Sequence, residues 1–97
     1  MNALFLIVLP MLILGSFNKS MASIEKLIQK MKNQPNGIRF EEAQRALGVN
    51  GYRFDRQKGS HCIFVNESGD VISIAKDDTI KKVYVVNILE RIGETKN

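Results

Sequence analysis

A chain of 97 residues has room for one small domain. Hydrophobic residues make up 44% and charged residues 25%, a balance typical of a folded globular protein and not of a disordered chain. The 14 Lys and Arg against 10 Asp and Glu leave a net charge of +4, which is compatible with a polyanionic partner. One Cys excludes an intramolecular disulfide and Cys-rich zinc sites, and one His excludes two-histidine catalysis and His-clustered metal sites.

The start of the chain differs in composition from the rest. Residues 1–17 contain no charged side chain, and residues 3–14 form an apolar run that is too short to span a bilayer, which needs about 20 residues. The length suits the apolar part of a secretory signal, but no Lys or Arg precedes it. We interpret residues 1–20 as an apolar leader or a misassigned N-terminal extension and residues 21–97 as the domain. Export, a membrane signal, or a helix that packs on the domain or on a partner remain alternatives.

The regular pattern of a folded domain begins at Ser23, which we predict as the N-cap of a first helix. The apolar face of this helix has the i, i+3, i+4, i+7 spacing and consists of Ile24, Leu27, Ile28 and Met31. Turn residues at 33–37 end the helix.

A second, shorter helix follows. Its predicted buried face consists of Phe40, Ala43 and Leu47. Glu41 and Arg45 have the i, i+4 spacing of an ion pair, and Gly48 stands where a helix often ends in the left-handed conformation.

The middle of the chain predicts three short strands, at residues 52–58, 61–65 and 71–75. Alternation places Tyr52, Phe54, Arg56 and Lys58 on one side of the first strand, and we expect Tyr52 and Phe54 to be in the core. In the third strand, Val71, Ser73 and Ala75 alternate with Ile72 and Ile74. Short links at Gly59-Ser60 and at residues 66–70 imply an antiparallel meander.

The last element is predicted as a helix that ends at Gly93, with an apolar face of Val85, Ile88, Leu89 and Ile92. The β-branched run at residues 83–86 suits a strand, but the residues that follow favour a helix. The resulting order, α-α-β-β-β-α, predicts an α+β fold with a three-stranded antiparallel sheet packed on helices.

The most informative stretch for chemistry is Lys58-Gly59-Ser60-His61. His61 opens a strand directly after a turn, so we expect its ring at a strand edge, close to Lys58 and Arg56 of the preceding strand. An imidazole can accept a proton at physiological pH, and cations beside it would attract a phosphodiester. RNA carries its own nucleophile, the 2′-hydroxyl. One base and a few cations are therefore a minimal set for cleaving RNA without a metal ion.

The same residues also allow functions without catalysis. A lone His in a small domain is often a surface or packing residue, and the basic surplus would then indicate a non-catalytic RNA-binding module. Lys81 and Lys82 either contact phosphate or are exposed lysines of no special role. Asp77 and Asp78 are interpreted as solvated carboxylates and not as magnesium ligands, and Cys62 as a small core residue.

Several motifs occur in a fixed order along the second half of the chain. They are a helix ending in Leu47-Gly48, then Gly51-Tyr52-Arg53-Phe54, then Arg56-Gln57-Lys58-Gly59-Ser60-His61, then Phe64 and a closing helix with Ile88-Leu89. With these motifs, the segment from Phe40 to Gly93 resembles the HicA family of toxins from bacterial toxin–antitoxin pairs. The Gly-Ser-His run followed by an aromatic residue is the signature of that family.

The resemblance implies a fold like that of the double-stranded-RNA-binding domain and a metal-independent endoribonuclease that cleaves mRNA in the cytoplasm. It assigns the catalytic role to His61. Our candidate RNA contacts are Lys58, Gly59, Ser60, Arg56 and Lys81. The resemblance also implies a HicB-type antitoxin as protein partner, no cofactor, and no stable association with a membrane.

Overall fold

The computed structural model describes residues 22–94. The elements in this part of the chain are helix α1 (residues 22–33), a 3-10 turn (Pro35–Gly37), α2 (Phe40–Val49), β1 (Arg53–Lys58), β2 (His61–Val65), β3 (Val71–Ala75) and α3 (Lys82–Arg91). The predicted α+β class and the α-α-β-β-β-α order are confirmed. The prediction about residues 1–20 falls outside the described part of the chain. Within residues 22–94, no helix has the length and apolar character needed to cross a bilayer.

The sheet has the order β1-β2-β3 with antiparallel pairing throughout. Alternation along β2 and β3 produces one buried face, formed by Cys62, Phe64, Ile72 and Ile74. The buried helix residues share one core cluster with this face, and within residues 22–94 the opposite face of the sheet, which we call the open face, contributes no residue to that cluster. The molecule therefore has two layers with a single core between them.

The helical layer buries the faces that the spacing predicts. The buried residues are Leu27, Ile28 and Met31 in α1, Phe40, Ala43, Ala46 and Leu47 in α2, and Val85, Ile88 and Leu89 in α3. Ile24 and Ile92 are partly buried against the same cluster. Residues 83–86 lie inside helix α3, so the helix prediction for this run is confirmed.

Two predictions for α1 and α2 are wrong, the N-cap at Ser23 and the ion pair between Glu41 and Arg45. Ser23 lies inside a helix that already covers residue 22, so it is not an N-cap. Its hydroxyl instead accepts a hydrogen bond from the Arg45 guanidinium. This draws Arg45 away from Glu41, whose carboxylate lies 3.8 Å from Arg39 Nε. An i, i+4 pair is worth only a few tenths of a kcal/mol, so a competing partner easily displaces it.

The end of α2 also differs from the prediction. Gly48 is inside the helix, and the residue with positive φ, at +90°, is Gly51. The amide of Gly51 donates to Gly48 O at 3.1 Å, and the amide of Tyr52 donates to Leu47 O at 3.0 Å. This is the Schellman pattern, which satisfies the last carbonyls of the helix and brings the buried Tyr52 against the helix end. Gly93, with φ +82°, ends α3 in the same way, as predicted.

Strand β1 is where the structure departs most from simple alternation. The pairing register shifts between Phe54 and Arg56, so Asp55 is the extra residue of a β-bulge. Tyr52 is buried as expected, although it precedes the strand. The prediction that Phe54 is in the core is wrong, because its side chain is 49% exposed. It covers Phe64 edge-on from the outer strand, with ring centroids 5.9 Å apart.

A polar network ties the loop between β2 and β3 to the rest of the domain. The Tyr52 hydroxyl donates to Asp70 Oδ2 at 2.5 Å, and Arg91 of α3 forms an ion pair with the same carboxylate. Hydrogen bonds from Tyr52 and Arg91 lower the pKa of Asp70. Burial and the bond to Asp70 raise the pKa of Tyr52. The network holds one end of the sheet to helix α3.

Candidate active site and nucleic-acid interface

The turn that joins β1 to β2 consists of Gly59 and Ser60, between Lys58 and His61. Gly59 has φ +62°, and Ser60 has negative φ, which is the pattern of a type II′ hairpin turn. The side chain of Gln57 donates to Gly59 O at 3.0 Å, and the Lys76 amide donates to Ser60 O at 2.7 Å. Both carbonyls of the turn are thereby fixed, and the direction in which the following residue enters β2 is set.

His61 is the first residue of β2 and lies opposite Lys58 in β1 and Ala75 in β3. Its side chain is exposed, whereas that of the next residue, Cys62, is buried in the core. Because neighbours along a strand point to opposite faces, the imidazole is on the open face. Lys58 is directly across the ladder on the same face, so an ammonium-bearing side chain is the nearest cross-strand neighbour of the imidazole on β1.

The bulge determines which face Arg56 occupies. Beyond the bulge, Arg56 is opposite Ile63 and Gln57 is opposite Cys62. Arg56 therefore shares the open face with Lys58 and His61, as the sequence predicts for Arg56 and Lys58. Its guanidinium forms an ion pair with Asp55, the extra residue of the bulge.

The candidate RNA contacts divide into two groups. Arg56, Lys58 and the Gly59-Ser60 turn lie together around His61. Lys81 belongs to the helical layer: it immediately precedes α3, and its carbonyl accepts a hydrogen bond from the Tyr84 amide at 2.9 Å. Within residues 22–94, no hydrogen bond or ion pair joins the Lys81 side chain to the turn.

The side chains that could have acted as metal ligands lie in the core or in an exposed loop. Cys62 is a buried free thiol in the core, as predicted. Asp77 and Asp78 are exposed, and Asp77 Oδ1 accepts a hydrogen bond from the Asp78 amide at 2.8 Å. In the part of the chain that is described, no three His, Cys, Asp or Glu side chains form a group suited to hold a metal ion.

Two cations near the site were not among the candidates. Arg53 is opposite Val65, which places it on the open face, but the bulge that aligns it with Arg56 leaves no mark in a single sequence. Lys76 bonds through its amide to Ser60, and its ammonium lies 5.5 Å from the centre of the Phe40 ring on the helical side. Its position directly after β3, the partner of β2, was the signal that could have identified it.

The arrangement presents an exposed imidazole, a cross-strand lysine and an arginine on the open face, at the end of a fixed turn. A group of this kind can move a proton at the surface of a bound polyanion, because imidazole exchanges protons near neutral pH and the cations attract phosphate.

One of three comparisons with known proteins identifies a family. A family model described as "HicA toxin of bacterial toxin-antitoxin" matches residues 40–94, which is more than half of the chain. No curated protein and no solved structure matches the chain. The matched segment starts at α2 and includes the whole sheet, the Gly59-Ser60 turn, His61 and α3. The chain belongs to the HicA toxin family of bacterial toxin–antitoxin systems.

Proposed function

We propose that this toxin is an endoribonuclease that cleaves mRNA without a metal ion, with His61 as the residue that accepts or donates the proton. The observation that carries the proposal is the exposed imidazole at the first residue of β2, directly across the ladder from Lys58 on the open face. A side chain kept for packing would be expected inside the core, where Cys62 and Phe64 are.

The proposed reaction uses only groups of the RNA and of this site. His61 takes the proton of a ribose 2′-hydroxyl while the 2′ oxygen forms a bond to the adjacent phosphorus. The bond from phosphorus to the 5′ oxygen of the next nucleotide breaks, and that oxygen takes a proton from solvent. The products are a 2′,3′-cyclic phosphate and a free 5′-hydroxyl, and the imidazolium then returns its proton to solvent.

The neighbouring residues are assigned by position. Lys58 and Arg56 stabilise the additional negative charge on the phosphate as the 2′ oxygen attacks. The Gly59-Ser60 turn, with both carbonyls fixed, lets the RNA backbone approach His61 without obstruction by a β-carbon at Gly59. Lys81 is a more distant electrostatic contact from the helical layer.

The family membership supports a protein partner as well. A toxin of such a pair has to be silenced in the cell that makes it, and we propose that a HicB-type antitoxin covers the His61 face. The substrate assigns the protein to the cytoplasm, where mRNA is found. We expect no stable association with a membrane.

Incubation of the purified protein with end-labelled RNA tests the proposal. We expect shorter products that carry a 2′,3′-cyclic phosphate, formed at the same rate with and without EDTA. Binding without shortening would identify a non-catalytic RNA-binding module, and loss of cleavage in EDTA would overturn the metal-free mechanism. The neighbouring reading frame is the simplest check on the partner, since it should encode a HicB-like protein.

A further inference from the structure

Strand β1 carries a row of cations that the sequence alone does not place together. Arg53, Arg56 and Lys58 are opposite Val65, Ile63 and His61, respectively. These three β2 residues alternate with the buried Cys62 and Phe64, so all six positions are on the open face. The exposure of all of β1 leaves the three cations in solvent.

The bulge is responsible for this alignment. In an unbroken strand, Arg53 would be on the opposite face from Arg56 and Lys58, since an odd number of steps separates it from both of them. Asp55 is the inserted residue, and the register resumes with Arg56 opposite Ile63. The row runs from Arg53 to Lys58 over roughly 16 Å, at about 3.3 Å per residue, and it ends beside His61.

The rest of the open face is uncharged. The open-face residues of β2 and β3 besides His61 are Ile63, Val65, Val71, Ser73 and Ala75. Val71 is 50% exposed, whereas Ile63, on the same face but outside the core cluster, is buried, with 8% of its surface exposed. The open face thus has a single basic edge along β1 and a mainly apolar floor along β2 and β3.

We propose that this open face is the binding surface for single-stranded RNA, with the backbone along β1 and the bases over β2 and β3. The inference deepens the proposed function and rests on it. A single row of cations matches one sugar-phosphate backbone, and an apolar floor beside it suits unpaired bases. A duplex keeps its base faces stacked inside and presents two backbones, so it would leave the floor unused and would need a second basic row.

Asp55 has a defined part in this arrangement. Its carboxylate is ion-paired with Arg56, the middle cation of the row, and it therefore competes with a phosphate for that guanidinium. Removing the carboxylate frees Arg56, whereas removing Arg53 shortens the row without touching His61 or the turn. Substitutions at these two positions should change RNA binding in opposite directions.

The test is the salt dependence of RNA binding in a His61→Ala background, in which the full chain binds labelled single-stranded RNA without cutting it. We expect Arg53→Gln to reduce the slope of log K against log salt by about 0.7, the value for one phosphate contact on a single strand. Lys26→Gln, an exposed lysine of α1 on the helical side, is the matched control and should leave the slope unchanged. Equal slopes for Arg53→Gln and Lys26→Gln would overturn the proposal.

Two further arms use the same assay. Asp55→Asn should tighten binding roughly twofold to fivefold, the range expected for releasing a surface ion pair. Its control is Glu25→Gln in α1, which changes the net charge equally. No difference between these two variants would contradict the proposed row. A duplex of the same sequence should bind more weakly than the single strand, and equal or tighter binding of the duplex would also contradict it.

The assay separates this inference from the proposed function. Binding that depends on Arg53, together with a wild-type chain that does not shorten RNA, would leave the binding surface standing and refute the nuclease. Cleavage by the wild-type chain with no effect of Arg53 on binding would refute the surface alone.

Discussion

His61 and Lys58 are surface residues on adjacent strands, and neither contributes to the core. Substitutions at these positions are therefore expected to change the free energy of unfolding by less than about 0.5 kcal/mol. Their effect on function can be measured without loss of the fold. Substitutions at Cys62 and Phe64, the β2 residues that point into the core, would in contrast destabilise the fold.

We expect Lys58→Gln to lower kcat/KM for RNA cleavage by about 10- to 1000-fold, because it removes a cation that stabilises the charge developing on phosphate. The control is Lys26→Gln, which makes the same charge change on the helical side. A Lys58→Gln protein as active as the control would show that Lys58 is not part of the reaction.

Asp70 gives a pH-dependent contribution to stability. Its pKa is below the ordinary value of 3.8 in the folded chain, because the Tyr52 hydroxyl and Arg91 bind the carboxylate. The stabilisation is therefore fully present above pH 3.8 and is lost as the pH falls through the lower, folded-state pKa. We expect Asp70→Asn to be less stable than the wild type at pH 6, with the difference shrinking below about pH 4. Urea unfolding at both pH values measures this, and a pH-independent difference would contradict it.

At the scale of elements, the two glycines at the end of α2 have opposite roles. Gly48 is inside the helix and Gly51 has φ +90°, and a β-carbon at either position would meet no atom within 4 Å. We expect Gly48→Ala to stabilise the protein by up to about 1 kcal/mol, through helix propensity. We expect Gly51→Ala to destabilise it by about 1–2 kcal/mol, through the left-handed backbone.

Urea unfolding of these two variants checks the helix end directly. If Gly48 were the left-handed residue, as the sequence predicted, Gly48→Ala would be the destabilising substitution. A destabilised Gly48→Ala together with an unaffected Gly51→Ala would favour that earlier end of α2.

The elements that could be predicted are those whose buried face is marked by the spacing of their apolar residues. The faces of α1, α2 and α3 and the alternation of β3 follow from spacing, because each of these elements has one side in the core. Strand β2 was predicted only as a run, and three successive residues of it are buried. Strand β1 has no buried residue, so no alternation of buried and exposed residues indicates its register, and the bulge at Asp55 was missed. Phe54 was assigned to the core for the same reason. The predicted cap residue Ser23 lies inside α1 and bonds instead to Arg45, 22 residues away. The end of α2 was misplaced because its closing hydrogen bonds form around Gly51 and not Gly48.

For the molecule as a whole, helix α1 is outside the segment that matches the family but inside the core. Leu27, Ile28 and Met31 are buried in the same core cluster as residues of α2, α3 and the sheet. Truncation to residues 40–94 removes these three side chains, and we expect a loss of about 4–9 kcal/mol, enough to unfold a small domain. A chain that starts at Met21 should keep its fold and its cleavage rate. Circular dichroism of both truncations tests this, and a stably folded 40–94 fragment would contradict it.

The candidate site was predictable from sequence in part. A short hairpin turn marked by glycine brings the last residue of one strand opposite the first residue of the next. The sequence therefore predicts that His61 lies beside the turn, close to Lys58 and Arg56. The third cation, Arg53, could not be placed, because its face depends on the bulge. Lys81 directly precedes α3, as the sequence predicts, but how close its ammonium lies to His61 depends on tertiary packing, which no local pattern reports.

The most direct test of His61 as the proton-transfer residue compares how fast the wild-type chain and His61→Ala cleave labelled RNA. Both proteins are used at the same concentration, after their thermal stabilities have been shown to be equal. We expect His61→Ala to cleave at least about 100-fold more slowly, the usual contribution of a general acid or base, while it still binds the RNA. A folded His61→Ala protein that cleaves at the wild-type rate would contradict it.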